Sequence, residues 1–158
     1  MASGILEGPD GVLLVQNRRR NGSLDWSTPG GVIEVDAGES ILDGLTREVQ
    51  EETGITVHHW EGPVYEVLAE APGLGWRLRV EVHRALSFEG ELVLADLDEI
   101  VVDARWVPVE ACGPHLEACP PWVREPLTAY LAHRGAADRQ FRYQVEGADR
   151  ATMVVTRR

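Results

Sequence analysis

Three glutamates, Glu48, Glu51 and Glu52, crowd into about one turn of a segment with helical patterning, SILDGLTREVQEETG. Like charges at i,i+4 spacing destabilise a helix, so their retention calls for a reason other than helix stability. At about 100° per residue, Ile41, Leu42, Leu45 and Val49 form one apolar face. Glu52 falls near one edge of that stripe, and Glu48 and Glu51 follow round the same side. Carboxylates at the border of a buried face are costly unless a cation neutralises them. Oxygen-only clusters of this kind suit Mg²⁺, with Mn²⁺ as the alternative: hard ions that keep waters and bridge to substrate phosphates. A solvated acidic helix balanced by arginine is the competing reading, and three glutamates alone favour it.

The elements that must hold these residues are legible as short strands alternating with two helices. Ser3 to Glu7 and Gly11 to Gln16 flank the turn GPDG and read as a hairpin, followed by a polar loop, RRRNGSLDWSTPGG. The acidic helix spans Ser40 to Thr53, with Ser40 as N-cap and Gly54 where the helix ends. Strands are expected at Thr56 to Trp60, Pro63 to Ala71 and Val101 to Val107. In RLRVEVH, Leu78, Val80 and Val82 alternate with Arg77, Arg79, Glu81 and His83. PPWVREPLTAYLAH reads as the second helix. The tail, 139–158, reads as an added hairpin turning at EGAD. The whole chain, 1–158, is expected to be a single mixed α+β domain.

Composition narrows the functional classes. The 158 residues are 44% hydrophobic and 26% charged, as in soluble globular chains. Apolar runs such as Val12 to Val15 are too short to span a bilayer. The first residues carry neither a basic start nor an apolar core, so a cytoplasmic protein without membrane association is expected. A formal net charge of −11 disfavours binding of nucleic-acid polymers. It leaves room for a small anionic ligand, because a metal reverses the local sign. Cys112 and Cys119 flank His115 without a fourth zinc ligand nearby, and are expected to be reduced thiols.

From Glu39 onward the acidic helix resembles the signature of the Nudix hydrolase family, GX5EX7REUXEEXGU, where U is a bulky aliphatic residue. Glu39, Arg47-Glu48-Val49-Gln50-Glu51-Glu52-Thr53-Gly54-Ile55, the preceding TPGG with Trp26, and the approach LLVQNRR carry the resemblance. One departure stands out: seven residues separate Gly31 from Glu39 where the family has five. The resemblance implies an α/β/α sandwich, a mixed β-sheet packed between helices. It also implies roles for these positions. Glu51 and Glu52 would be the main metal ligands, Glu48 a ligand or base, and Gly31 a carbonyl donor. Arg47 would orient the carboxylates, with Glu39 supporting it.

Relatives of this kind cleave a nucleoside diphosphate linked to another group, or a nucleoside triphosphate, by attack of water on phosphorus. A non-catalytic domain that senses a nucleotide sugar is the alternative. Outside the signature, Glu99 is the preferred further acid, ahead of Asp96, Asp98 and Glu110. Arg18, Trp26, Arg77 and Arg79 are candidate substrate contacts. Surface charge, core burial and cross-strand pairing are their bland counterparts. Trp26 and Trp106 are candidates to border a base-stacking cleft, with burial in the core the favoured reading for either ring. The chain begins midway into the family's first strand, so Thr152 to Thr156 is expected to cover that edge or to pair with a second subunit in a monomer or homodimer.

Overall fold

The structure is a computed structural model that describes residues 1–93, 100–136, 138–149 and 152–158. Its scaffold is a six-stranded mixed sheet in the order β10-β9-β6-β7-β1-β5. The strands are β1 (Ala2–Ile5), β5 (Gly30–Gly31), β6 (Thr56–Ala71), β7 (Trp76–Glu89), β9 (Gln140–Glu146) and β10 (Val154–Arg157). A smaller sheet joins β2 (Glu7–Gly8), β3 (Gly11–Arg18) and β4 (Leu24–Ser27), with β8 (Val101–Val107) on the free side of β3. β1 runs parallel to β7, and β9 parallel to β6; the other pairings are antiparallel.

Alternation along the strands sorts their side chains onto two cores. α1 (Ile41–Thr53) sets Leu45 and Val49 against Ala2, Leu6, Leu13, Val15 and Val57. On the opposite face, α2 (Val109–His115) and α3 (Pro121–His133) cover Ile5, Leu14, Tyr65, Val67, Val82 and Phe141. The expected sandwich, a mixed sheet between helices, is therefore the fold observed. Leu78, Val80 and Val82 point together into the α2/α3 layer, as the period of two requires.

Four readings of the sequence need correcting. The segment Ser3 to Glu7 divides: β1 joins the large sheet, and only Glu7–Gly8 forms the hairpin with β3. Thr56 to Ala71 is one strand, because β7 pairs along its whole length across irregularities either side of Gly62–Pro63. The polar loop contains β4, held on β3 by Arg19 forking onto Asp25 at 2.7 and 2.8 Å. β1 is no edge either. It lies between β7 and β5, and the C-terminal hairpin caps the far side of the sheet on β9. Of the described residues, no helix is long and apolar enough to cross a membrane.

Candidate active site

Ser40 starts α1 by accepting the Asp43 N–H on its hydroxyl at 3.1 Å, and Gly54 ends it in the left-handed region (φ 81°) with its N–H on Gln50 O. Burial of Leu45 and Val49 fixes which face meets the sheet, and the Trp60 indole N–H, donating to Thr46 Oγ1 at 2.9 Å, ties the helix to β6. That rotation presents Glu48 and Glu52, one turn apart, to the two glycines of β5. The Gly30 N–H donates to Glu52 Oε2 at 3.3 Å. The Glu48 carboxyl lies over Gly31 so closely that a Cβ there would stand 2.9 Å from its Cδ and Oε2. β5 is itself held by β1, through Ala2 opposite Gly31 and Ser3 opposite Gly30. The Ser3 hydroxyl bonds Thr28 Oγ1 at 2.5 Å and donates to Pro29 O at 3.1 Å.

Arg47 organises the remaining acids. Its guanidinium forks onto Glu39 at 2.7 and 2.9 Å and reaches Glu48 at 3.3 Å and Glu51 at 3.2 Å. Bidentate pairing of this kind gives both strength and a fixed geometry. Arg47, helped by the Glu34 N–H, holds the Glu39 carboxyl down at about 2 from an ordinary 4.5. Glu48 moves the other way: its burial outweighs Arg47, and the charge of Glu51 adds to the rise. Glu52 is 9% exposed.

Arg47 thus contacts Glu39, Glu48 and Glu51 together. As the side chains stand, Glu51 is turned onto Arg47, and no group of three His, Cys, Asp or Glu among the described residues is set to hold a metal ion. The donor chemistry nevertheless suits one. Glu48 and Glu52 line a glycine cradle that offers only oxygen ligands, and a half-buried carboxylate with a raised pKa is what a divalent cation would stabilise.

The two extra residues between Gly31 and Glu39 leave this arrangement intact. They are taken up in a solvent-exposed 3₁₀ turn, Val35–Ala37, closed by Gly38 in the left-handed region (φ 85°). Glu34 meets Glu39 twice, its N–H on Glu39 Oε1 at 3.1 Å and its O accepting the Glu39 N–H at 3.2 Å. The loop therefore leaves and returns at one point, and the register of α1 is preserved.

The other candidates among the described residues do not gather here. Arg77 and Arg79 lie on the α1-side face of β7, paired with Glu70 at 3.4 Å and Glu66 at 2.7 Å. Arg18 is exposed at the end of β3, where its N–H donates to Ile100 O. Trp26 packs in the α2/α3 layer, edge-on to His115 and under the Arg105 guanidinium, whereas Trp106 stacks on Phe88 in the α1 layer. The two rings are in different layers, so they do not border one cleft. Glu99, Asp96 and Asp98 lie outside the described residues; Glu110 is exposed at the start of α2. The sequence carries little that marks Gly30, Ser3 or Trp60 as part of this site. The first signal for Gly30 was its place in TPGG; the partners of Ser3 and Trp60 are non-local and leave no trace in spacing.

Comparison with known proteins agrees with this geometry. The family model described as the NUDIX domain matches residues 2–130. A MutT-like protein of Streptomyces ambofaciens is 47% identical over 55 residues, 35% of this chain and 33% of that protein. An uncharacterized Nudix hydrolase of Bacillus subtilis is 45% identical over 53 residues, 34% of this chain and 30% of that protein. The matched stretch thus spans about a third of the length of these curated relatives. Among solved structures, the MutT protein from Bacillus halodurans superposes with a TM-score of 0.66 at 25% identity, covering 99% of this chain and 94% of that one. The NUDIX domain of Shewanella oneidensis NrtR, crystallised with ADP ribose, gives 0.65 at 20% identity over 83% of both chains, a likeness of fold alone. With the glutamate-bearing helix, its arginine clasp and the glycine cradle in place, the chain belongs to the NUDIX family.

Proposed function

We propose that the protein is a metal-dependent pyrophosphohydrolase that cleaves the diphosphate linkage of a nucleoside diphosphate derivative or a nucleoside triphosphate. The observation that carries this reading is the packing of Glu48 and Glu52 onto Gly30 and Gly31, with Arg47 clasping Glu39, Glu48 and Glu51 beside them. Glu48, Glu51 and Glu52, with the Gly31 carbonyl, would hold Mg²⁺ or Mn²⁺. When bound, the ion supplies charge neutralisation on the phosphoryl oxygens and an acidified water. Arg47 would orient the carboxylates, and Glu39, well below its ordinary pKa, would keep Arg47 in place. Where Glu48 is not a ligand of the ion, it would instead act as the proton acceptor for the attacking water. Water adds to one phosphorus, the anhydride P–O bond breaks, and the products are a nucleoside monophosphate with a phosphorylated second group, or with pyrophosphate.

A panel of nucleotides assayed with Mg²⁺ for formation of the nucleoside monophosphate, beside Glu52→Gln, tests this. Wild type should turn over at least one nucleotide only with metal, and the variant should fall by about 10²-fold or more, the scale of losing one charge-stabilising group. Tight nucleotide binding without turnover across the panel would overturn the reading in favour of a sensor.

A further inference from the structure

A second recess, of about 480 Å³, opens at the other end of β1 and on the opposite face of the sheet. Gly31, which lies under Glu48, pairs with Ala2 at the start of β1, whereas the recess is walled by Glu7, just past its end, and by Arg84, which pairs with Ile5. Tyr130, from the α2/α3 layer, forms another side. Among the described residues, three arginines, Arg84, Arg134 and Arg139, line this space against two glutamates, Glu7 and Glu61. An excess of positive charge in one recess runs against a chain whose formal net charge is −11.

The arginines are unequally occupied. Arg134 is paired with Glu7, and its guanidinium lies over the Tyr130 ring, 5.5 Å from the centroid. Its backbone, at φ 51° and ψ −123°, is the positive-φ non-glycine position among the described residues. Strain of that kind persists where surrounding structure imposes it, and it recurs at ligand clamps. Arg84 meets Glu61 only at 3.8 Å, too long for a forked pair. The Arg139 side chain donates to Pro63 O at 3.1 Å and pairs with no carboxylate among the described residues. Two guanidiniums with free donors thus face one recess from β7 and from the approach to β9. Arginine forks match phosphate oxygens two by two, and the volume is within the range of about 300–1,000 Å³ usual for small-molecule sites.

We propose that this recess is a second, metal-independent site for a phosphate- or diphosphate-bearing small molecule, held by Arg84 and Arg139, with Arg134 and Tyr130 forming its fixed wall. It is separate from the Glu48–Glu52 cradle and does not depend on the hydrolase reading.

Titration calorimetry of the full chain in EDTA, with ADP and with inorganic pyrophosphate as separate probes, tests it. EDTA leaves the cradle as bare carboxylates, which repel both probes. One-to-one binding of ADP is expected, unchanged in Glu52→Gln and weakened at least about tenfold by Arg84→Gln with Arg139→Gln, the scale of losing charge-assisted bonds. Equal binding of pyrophosphate would identify the phosphates alone as the ligand; binding of ADP only would identify an ester. Arg139→Gln alone repeats the measurement without touching the Arg84–Glu61 pair, and a thermal melt confirms its fold. Absence of binding for both probes at millimolar concentration, binding indifferent to both arginine variants, or binding abolished by Glu52→Gln would each overturn the proposal.

Discussion

Replacing Gly31 by alanine should separate the chemistry of this protein from its stability. A Cβ at Gly31 would stand 2.9 Å from Cδ and Oε2 of Glu48 and 3.2 Å from Oε1, where ordinary contact begins at 3.4 Å. The carboxyl must therefore retreat by about half an ångström or swing off its rotamer, at a cost of about 0.5–1.5 kcal/mol. Gly31 does not use a positive φ, so its backbone accepts alanine. The loss of unfolded-chain entropy returns about 0.4–1 kcal/mol. The two terms nearly cancel, and the urea midpoint should move by less than about 1 kcal/mol in stability. Under the role proposed for Glu48, function should not be spared: misplacing a catalytic group by about 1 Å costs on the order of 10²-fold in rate, and half that displacement about tenfold. The assay is Mg²⁺-dependent nucleotide hydrolysis, with Mn²⁺ affinity by titration calorimetry as a readout free of turnover. Gly30→Ala is the contrasting control. Its Cβ would stand 2.2 Å from Ala2 O and 2.7 Å from Ser3 Cα, backbone atoms that cannot yield, so this variant should lose stability outright. Full activity and metal affinity in Gly31→Ala would refute the placement of Glu48 over β5, and equal stability of the two variants would refute the distinction between side-chain and backbone neighbours.

Three further outcomes follow from the same contacts. Glu39 has a folded pKa of about 2 against an ordinary 4.5, so its stabilising contribution is complete above pH 4.5 and disappears as pH falls towards 2. Urea midpoints followed through that window should drop for wild type and drop less for Arg47→Met; parallel curves would show that Arg47 is not the cause. Gly44→Ala gains about 0.8–1 kcal/mol of helix propensity. Its Cβ would nevertheless sit 2.6 Å from Ile33 Cγ2 and 2.7 Å from Glu39 Oε1, an overpacking worth about 1–3 kcal/mol. A net loss of about 1 kcal/mol is expected in denaturant titration, and a gain would mean that the loop before α1 gives way freely. Burial raises both thiols, Cys119 to about 11, so iodoacetamide at pH 8 should label the native chain far more slowly than the urea-unfolded one; rapid native labelling, read by mass spectrometry, would contradict the packing of α2 and α3.

By itself the sequence determined the acidic helix. Its cap, its apolar stripe and its terminating glycine are local, and a periodicity of 3.6 places Glu48 and Glu52 without knowledge of anything distant. The alternating strand of Leu78, Val80 and Val82 was legible for the same reason. Local patterning has no access to partners chosen across the chain. That β1 sits inside the sheet rather than at its edge depends on Gly30 and Gly31 returning to pair with it. That Arg77 and Arg79 are taken up by glutamates of β6 depends on the register between two strands. The short α2, with Pro114 inside it, is anchored by buried Cys112, and β4, within a run of turn residues, exists because it pairs with β3. The tertiary structure alone decided where the two-residue insertion goes: outward, because Glu34 and Glu39 close the loop upon itself. It also decided that Glu48 presses on Gly31, a contact between residues 17 positions apart that no helical or strand period encodes.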